Sequence, residues 1–488
     1  MTALSFIHLS QKHVSRVPPT IFYSKPRDED EDEDLPRQMV SILSWIAVCL
    51  VRDAQGDAVA AALSVLSGTI TLFLSRTRGP PDEQDIANSR ELVSALRQAM
   101  AETDANLATD ILFKTAVSIS YRRFASKVGA IIRMEKVGWK VSHRFGSIVD
   151  DWVASGGTEN DVGVFNFAHE LGVSTETDGH TVLKLVFNQL VKLIEEGLGD
   201  LSSGVDKYMW APWYGRFAVI LVHSRFFKQF AKQEGSQSLR ERYGAADSTW
   251  ILKLWRRLWR VARYRIDAWS FATYGFHFIR DALGVQGLAE FLDAGKNMEV
   301  NWVANQQPGI LPRNHGYVYA LPEPPLLYLS STLEKYGLGR LELDETKPEQ
   351  QEFADSVRAL WPAGGAVPHL HCEIQLISFF EQNDASPVHK NYIGASKLSC
   401  WACQAYIEQV NKQRAEPWII LGTSNKANYA WLVPPNPFGL SVVDLIHDKL
   451  MEALANIAQT YGTRMINDDG SSSESDESQP PYLDIVSR

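Results

Sequence analysis

The chain has 488 residues and a formal net charge of −10, with 45% hydrophobic and 22% charged residues. This length and apolar content predict a folded protein of two or three domains and exclude a wholly disordered chain. Its four cysteines are too few for a disulfide framework and favour reduced thiols in a reducing compartment.

Two acidic segments account for the net negative charge. Residues 28–34 are seven consecutive acids, and residues 468–477 include five more among serines. Segments of this composition cannot bury enough apolar surface to fold, so we predict that 1–37 and 466–488 are disordered. Without them the chain is close to neutral, and its charge therefore does not exclude nucleic acid as a partner.

The first 27 residues contain no acid, as in organelle transit peptides, but Pro18 and Pro19 interrupt any amphipathic helix there. We therefore expect an intracellular protein, cytoplasmic or nuclear, without organelle targeting. The two main apolar runs, 40–51 and 58–74, are too short or too polar to span a membrane. Both are predicted to form buried helices.

Residues 38–320 show mainly helical patterns. The clearest amphipathic stretches are 90–100, 129–141 and 182–194. No repeat of fixed period is present, which argues against a regular solenoid. The proline-rich segment 321–325 predicts a linker or rigid turn after this helical region.

One predicted helix, residues 252–280, alternates basic and aromatic side chains. Arg256, Arg260 and Arg263 would share one face, where they could bind phosphates while aromatic rings stack on bases. Two alternatives remain: tryptophans that enter the core while the arginines face solvent, or an arginine face that lines an active-site cleft. The sequence favours the solvent-facing arginines.

The most specific chemistry lies between residues 371 and 403. His371 and Glu373 form an H-x-E motif, and Cys400 and Cys403 form a C-x-x-C motif. One imidazole and two thiolates offer zinc three protein ligands and leave a fourth position for water, as catalytic sites do. A carboxylate that is not a ligand could then move the protons of that water.

A structural zinc site is the alternative. It would need a fourth protein ligand, and thiols are scarce in this chain. Cys372 follows His371 directly and would point elsewhere, while His369 could compete for the metal. A structural site has no need of Glu373, so this acid favours catalysis over a non-catalytic interaction protein with a helical partner-binding region.

Local patterns place the motifs at helix starts. Apolar residues in 371–382 and 400–413 have helical spacing, and 392–399 and 417–423 are runs suited to strands. Residues three apart in a first turn share a face, so both thiols can reach one metal. The helix dipole also favours thiolate there. Further helices are predicted near 349–361 and over 442–461.

Two strings, HCEIQLI at 371–377 and YIGASKLSCWAC at 392–403, resemble the cytidine-deaminase-like superfamily. They are most similar to a branch that is expanded in fungi and related to bacterial toxin-type deaminases. The superfamily usually has proline before the first cysteine, where this chain has Ser399. Downstream, residues 422–435 resemble a degraded G-T-H-G-K…W motif, in which Lys426 and Trp431 match.

The resemblance implies that His371, Cys400 and Cys403 bind Zn²⁺ and that Glu373 shuttles protons. It implies zinc-dependent hydrolytic deamination of a cytosine- or adenine-type base, in a nucleotide or single-stranded nucleic acid. The candidate substrate-binding residues are Trp401, Lys426 and Trp431.

The expected fold is α/β, with a mixed sheet and zinc-bearing helices in a deaminase-like domain over 341–465. A large, mainly helical region precedes it. The strand hairpin that such folds place before the H-x-E helix is not evident in the sequence.

Overall fold

A computed structural model of the protein describes residues 34–52, 57–77, 79–134, 141–161, 164, 166, 177–200, 211–231, 233–303, 324–359, 369–382, 388–420, 431–432, 434 and 436–463. Most of the two predicted disordered segments lies outside these ranges, and so do Lys426 and most of the predicted linker. Within them, no helix is long and apolar enough to cross a membrane.

The described helices are α1 (Asp34–Cys49), α2 (Glu83–Ala101), α3 (Ala105–Ile119), α4 (Tyr121–Ile132), α5 (Val141–Ala154), α6 (Gly179–Asp200), α7 (Ala211–His223), α8 (Arg225–Ala231), α9 (Gln233–Ser270), α10 (Phe276–Ala294), α11 (Pro325–Lys335), α12 (Pro348–Ala359), α13 (Cys372–Gln382), α14 (Trp401–Asn411) and α15 (Pro437–Tyr461). A π-helical turn, Phe271–Gly275, joins α9 to α10. The described strands are β1 (Val59–Leu66), β2 (Thr69–Arg76), β3 (Met298–Trp302), β4 (Arg340–Leu341), β5 (Val388–Ala395), β6 (Ile419–Ile420) and β7 (Gly462–Thr463).

The chain divides into two compact units. One comprises the described residues of 17–315 and 368–446, and it contains a five-stranded mixed sheet of order β3-β2-β1-β5-β6. In this sheet β1 is antiparallel to β2 and β5, whereas β3 and β6 are parallel to their neighbours. The other unit includes the described residues of 316–367 and 447–488, with a β4–β7 pair. The predicted α/β class is confirmed.

The buried helix predicted over 58–74 is wrong, because this segment forms the β1–β2 hairpin. Ser67 and Gly68 form its two-residue turn with φ values of 50° and 75°, the left-handed conformations that tight hairpins require. Nearly every residue of both strands is buried or half-buried. A strand that is buried on both faces shows no alternation of polar and apolar residues, so its periodicity resembles that of a buried helix.

The hairpin pairs with the strand that leads to the C-terminal motifs. Its β1 strand pairs with β5, so that Ala60 lies opposite Ala395 and Ala62 opposite Ile393. In the structure, one sheet takes strands from both of the regions 38–320 and 341–465. The helices between Glu83 and Ala294 lie in the chain between the hairpin and the motif-bearing helices, and we name them the helical insertion.

The remaining helix predictions have mixed outcomes. The buried helix predicted over 40–51 is confirmed as α1, and the stretches 90–100 and 182–194 lie within α2 and α6. The continuous helix predicted over 129–141 is wrong, because α4 ends at Ile132 and α5 begins at Val141. Buried residues at the end of α4 and the start of α5 maintain the apolar spacing across this break.

The basic helix corresponds to the second half of α9 and continues into the π-helical turn and α10. Trp255 and Trp259 pack against the hydrophobic core, while Arg256, Arg260 and Arg263 are exposed. This burial agrees with an amphipathic helix whose arginines face solvent. Phosphate binding by these arginines stays a prediction.

Candidate metal centre

The start of α13 is fixed by the end of the β1–β2 hairpin. Ser75 Oγ donates to the carbonyl oxygen of Cys372 at 2.6 Å, and the Cys372 amide donates to Thr77 Oγ1 at 3.2 Å. Gln375 Nε2 donates to the carbonyl oxygen of Arg76 at 2.9 Å. All of these groups are buried, so the hairpin determines where the helix begins and where its first side chains point.

A buried ion-pair network in turn holds the end of β2. The Arg76 guanidinium lies 3.0 Å from Asp57 and 2.6 Å from Asp85, and both carboxylates are almost fully buried. Asp85 also accepts from the Asp82 amide in the capping box at the start of α2. The strand end that supports α13 is therefore tied to the first helix of the insertion.

Strand β5 leads directly into the C-x-x-C motif and packs closely on α1. A Cβ atom on Gly394 would lie 2.2 Å from the backbone of Leu43 and Ser44, so only glycine permits this approach. After β5, Cys400 is the N-cap of α14, and its Sγ accepts from the Cys403 amide at 3.5 Å. The capping geometry directs both thiols of the motif toward the same point.

The structure brings His371, Cys400 and Cys403 together as a buried group whose ligand atoms all lie within 4.8 Å of one another. The two Sγ atoms are 3.5 Å apart, and His371 Nδ1 lies 3.7 Å from the Sγ of Cys400 and 3.2 Å from that of Cys403. Tetrahedral zinc with ordinary Zn–S and Zn–N bonds separates its ligands by about 3.5–3.8 Å. The donor set and its spacing therefore fit a zinc ion.

Among the described residues, this metal-binding group has three protein members. Neither Cys372 nor His369 belongs to this group. Cys372 Sγ lies 3.3 Å from Glu373 Oε2, and His369 pairs through its backbone with Trp431. Three protein ligands leave one tetrahedral position for a water or substrate atom, as in catalytic rather than structural sites.

Electrostatics within the group favour one thiolate. Burial raises the pKa of Cys400, but hydrogen bonds from Cys403 and His371 outweigh it and lower that pKa to about 5. Burial lowers the pKa of His371, yet its hydrogen bond and charge interaction with Cys400 raise it overall. Burial raises the pKa of Cys403, and the neighbouring Cys400 raises it further. Thiolate is the form that binds metal.

Glu373 lies in the first turn of α13 and is 5% exposed. It is not a member of the ligand group, but its charge acts on all three ligand side chains. A buried carboxylate beside such a group is a candidate to exchange protons with a metal-bound water.

The candidate substrate-binding residues have different surroundings. Trp401 is half-buried and follows Cys400 directly at the start of α14. Trp431 is buried, and its neighbour Leu432 donates its amide to the carbonyl oxygen of His369 at 2.9 Å. Both tryptophans therefore adjoin segments that bear metal ligands. Lys426 lies outside the described residues.

Sequence reasoning missed the residues that support the site from the hairpin. Ser75, Thr77 and Arg76 precede the H-x-E motif by almost three hundred residues, and no local pattern links them to it. The available signal was the Ser67-Gly68 pair between two β-rich apolar runs, which is a hairpin signature.

The structure brings together a His-Cys-Cys group that could hold a metal ion, at the starts of two helices beside a mixed sheet. Residues 370–435 match the model of a family described as OTT_1508_deam-like deaminase, and this match supports a deaminase-like superfamily for that segment. The matched segment includes all three ligand residues and Glu373. No curated protein and no solved structure matches the chain.

Proposed function

We propose that this protein is a zinc-dependent hydrolytic deaminase that acts on a cytosine- or adenine-type base in a nucleotide or single-stranded nucleic acid. The observation that supports this most directly is a buried ligand group of three with a buried carboxylate beside it, within a deaminase-like segment. A zinc site that only stabilises the fold is closed by a fourth protein ligand and has no need of that carboxylate.

In this proposal His371 Nδ1 and the Sγ atoms of Cys400 and Cys403 hold Zn²⁺. When bound, zinc supplies the Lewis acidity that lowers the pKa of the hydrolytic water. The Glu373 carboxylate accepts a proton from this water, whose oxygen forms a bond to the ring carbon that bears the amino group. Glu373 delivers this proton to the ring nitrogen, then accepts the second proton from the new hydroxyl group and delivers it to the amine, so that the C–N bond breaks, the base gains a carbonyl and ammonia departs.

The base would lie against the aromatic side chains that adjoin the ligands. Trp401 is half-buried at the start of α14, and Trp431 is buried beside the segment that precedes α13. In our proposal these indoles pack on the faces of the base, and Lys426 contacts the sugar or phosphate. That the chain belongs to the branch that is expanded in fungi and related to bacterial toxin-type deaminases stays a prediction.

The experiment that tests this function is ammonia release from a panel of nucleosides, nucleotides and short single-stranded DNA and RNA oligonucleotides. We expect release from at least one member, with loss after zinc removal by a chelator and recovery when zinc is added back. If the zinc-loaded protein releases ammonia from none of them, a non-catalytic interaction protein with a structural zinc site is favoured instead.

A further inference from the structure

A second cluster of charged groups lies where α4 packs against α9. It consists of Arg123 and Lys127 from α4 with Arg260 and Arg263 from α9. Lys127 Nζ donates to the Tyr264 hydroxyl at 3.3 Å and lies 4.5 Å from the centre of the same ring. Residues 123 and 127 are one helical turn apart, as are 260 and 263, so each pair shares a helix face. We name these four residues the cationic cluster.

The cationic cluster is short of negative charge. Arg263 Nε pairs with Asp267 at 3.0 Å. Among the described residues, no carboxylate lies within salt-bridge distance of Arg123, Lys127 or Arg260. Burial lowers the pKa of Lys127 to about 7, and the largest charge effects on it after burial are repulsions from the three arginines. An anion bound among these groups would offset that repulsion.

The cationic cluster borders the loop that leads to the metal ligands. Arg123 is 9% exposed, and its Nη2 donates to the carbonyl oxygen of Ser396 at 3.3 Å. Its Nη1 is buried without a hydrogen-bond partner in the part of the chain that the structure describes. Ser396 follows β5 and precedes Cys400 by four residues, so their Cα atoms are at most about 14 Å apart.

One side of the cationic cluster is open to solvent. Arg260 and Arg263 are exposed on α9, and Arg256 continues the same face one turn earlier. A ligand can therefore approach the exposed guanidinium groups, while Arg123 and Lys127 on α4 add positive charge on the more buried side of the cluster. Guanidinium groups bind phosphate oxygens through paired hydrogen bonds, and an ammonium group acts as a point charge beside them.

We propose that Arg123, Lys127, Arg260 and Arg263 form a phosphate-binding site that holds the backbone or the terminal phosphate of the substrate. The proposal deepens the proposed function, on which it rests, by giving the substrate's phosphate a location in the inserted helices. None of the four residues lies in the deaminase-like segment 370–435. The insertion would thus contribute to substrate binding as well as to the fold.

The test is a binding measurement on full-length, zinc-loaded protein that carries Glu373→Gln, so that bound substrate is not consumed. One probe is a short fluorescein-labelled single-stranded oligonucleotide, followed by fluorescence anisotropy at several salt concentrations. Competition by a nucleoside 5′-monophosphate, and by the matching nucleoside, distinguishes a free nucleotide from a nucleic acid as the source of the phosphate. The variants are Arg260→Glu and Lys127→Gln, with Arg90→Glu on α2 as a control of equal charge change at an exposed position.

We expect Arg260→Glu to weaken binding of the oligonucleotide or the monophosphate at least tenfold, and Lys127→Gln to weaken it less. In a plot of the logarithm of the binding constant against the logarithm of the salt concentration, the slope should become less negative by roughly 0.7 for each phosphate that the variant no longer neutralises. Arg90→Glu should bind like the parent. The proposal is overturned if the parent binds neither probe, or if Arg260→Glu and Arg90→Glu lose affinity equally.

The binding result is separable from the fate of the deaminase proposal. Cluster-dependent binding with no ammonia release from any member of the panel would retain the phosphate site and reject the enzyme. Ammonia release from a nucleoside together with unchanged binding in Arg260→Glu would retain the enzyme and reject the phosphate site.

Discussion

The Ser75 hydroxyl donates to the backbone carbonyl oxygen of Cys372 at 2.6 Å, although 297 residues separate the two in sequence. Through this bond and that from the Cys372 amide to Thr77, a hairpin near the start of the chain positions the helix that begins immediately after His371. The deaminase-like segment is therefore not structurally independent, because its first metal ligand depends on strands that precede the helical insertion.

Removing the Thr77 hydroxyl tests this dependence. Thr77→Val should leave the Cys372 amide buried without its partner, at a cost of about 1–3 kcal/mol in the free energy of unfolding. Because that amide begins α13, zinc affinity should fall as well. Thr71→Val on the same strand is the control, because Thr71 lies at the far end of β2 from α13. Chemical denaturation and a zinc-chelator competition assay measure the two effects, and equal losses in both variants would contradict the argument.

The approach of β5 to α1 gives a second prediction. Gly394→Ala should destabilise the protein by more than the ~1–3 kcal/mol usual for overpacking, because the new Cβ meets backbone atoms that cannot move aside. Gly146→Ala in α5 is the control: its Cβ has an ordinary 3.6 Å contact, and alanine is about 0.5–1 kcal/mol better than glycine within a helix. Thermal unfolding compares them. A Gly394→Ala protein as stable as the parent would show that β5 is not held as described.

Metal content tests the ligand assignment. We expect the purified protein to contain a single tightly bound zinc, and Cys400→Ser and Cys403→Ser each to lose most of it, because each removes one of three ligands. Cys372→Ala should keep its zinc, since Cys372 Sγ lies against Glu373 instead. Elemental analysis of the four proteins gives the result. Retention of zinc in both serine variants would remove the basis of the metal centre.

Much of the metal centre could be predicted from sequence because its information is local. Short runs predict the helices α13 and α14, and the strand predicted over 392–399 overlaps β5 at 392–395. The ligands lie at the helix starts, where first-turn geometry brings His371, Cys400 and Cys403 together. The hairpin could not be predicted by the same means. Its strands are buried on both faces, and its partner β5 is more than three hundred residues away in the chain.

The same limit explains the other differences. Burial of Val128 and Ile131 on α4 and of Val141 on α5 preserves helical spacing from one helix to the next, so periodicity alone predicts one continuous helix. The proline-rich segment 321–325 suggests a domain boundary because composition changes there. Composition does not reveal that β1 and β5 share a sheet, since strand pairing depends on register across the whole insertion.

The charge state of Lys127 predicts how stability depends on pH. Burial lowers its pKa from the ordinary 10.5 to about 7 in the folded protein, so between these values the unfolded chain binds a proton that the folded protein does not. The free energy of unfolding should therefore rise with pH across this window. Below about pH 7 the destabilisation by charged Lys127 should be complete. Lys127→Met should stabilise the protein at low pH and flatten this slope. Lys114→Met, at an exposed position on α3, is the control. Denaturation midpoints measured across this pH window test the prediction. If the midpoint of Lys127→Met depends on pH as steeply as that of the parent, the prediction is wrong.

Glu373 separates an enzyme from a protein stabilised by zinc. Glu373→Gln keeps the size and hydrogen-bonding ability of the side chain but removes the base, and proton transfer by a positioned side chain is worth about 10²–10⁴ in rate. We expect the rate of ammonia release to fall by a factor of about 10²–10⁴. Zinc content and melting temperature should stay close to those of the parent. Glu408→Gln, the same change at an exposed position on α14, should leave all three quantities unaltered.

Loss of zinc in Glu373→Gln would mean that the carboxylate is a fourth ligand and the site is structural. Full activity would mean that another group moves the protons.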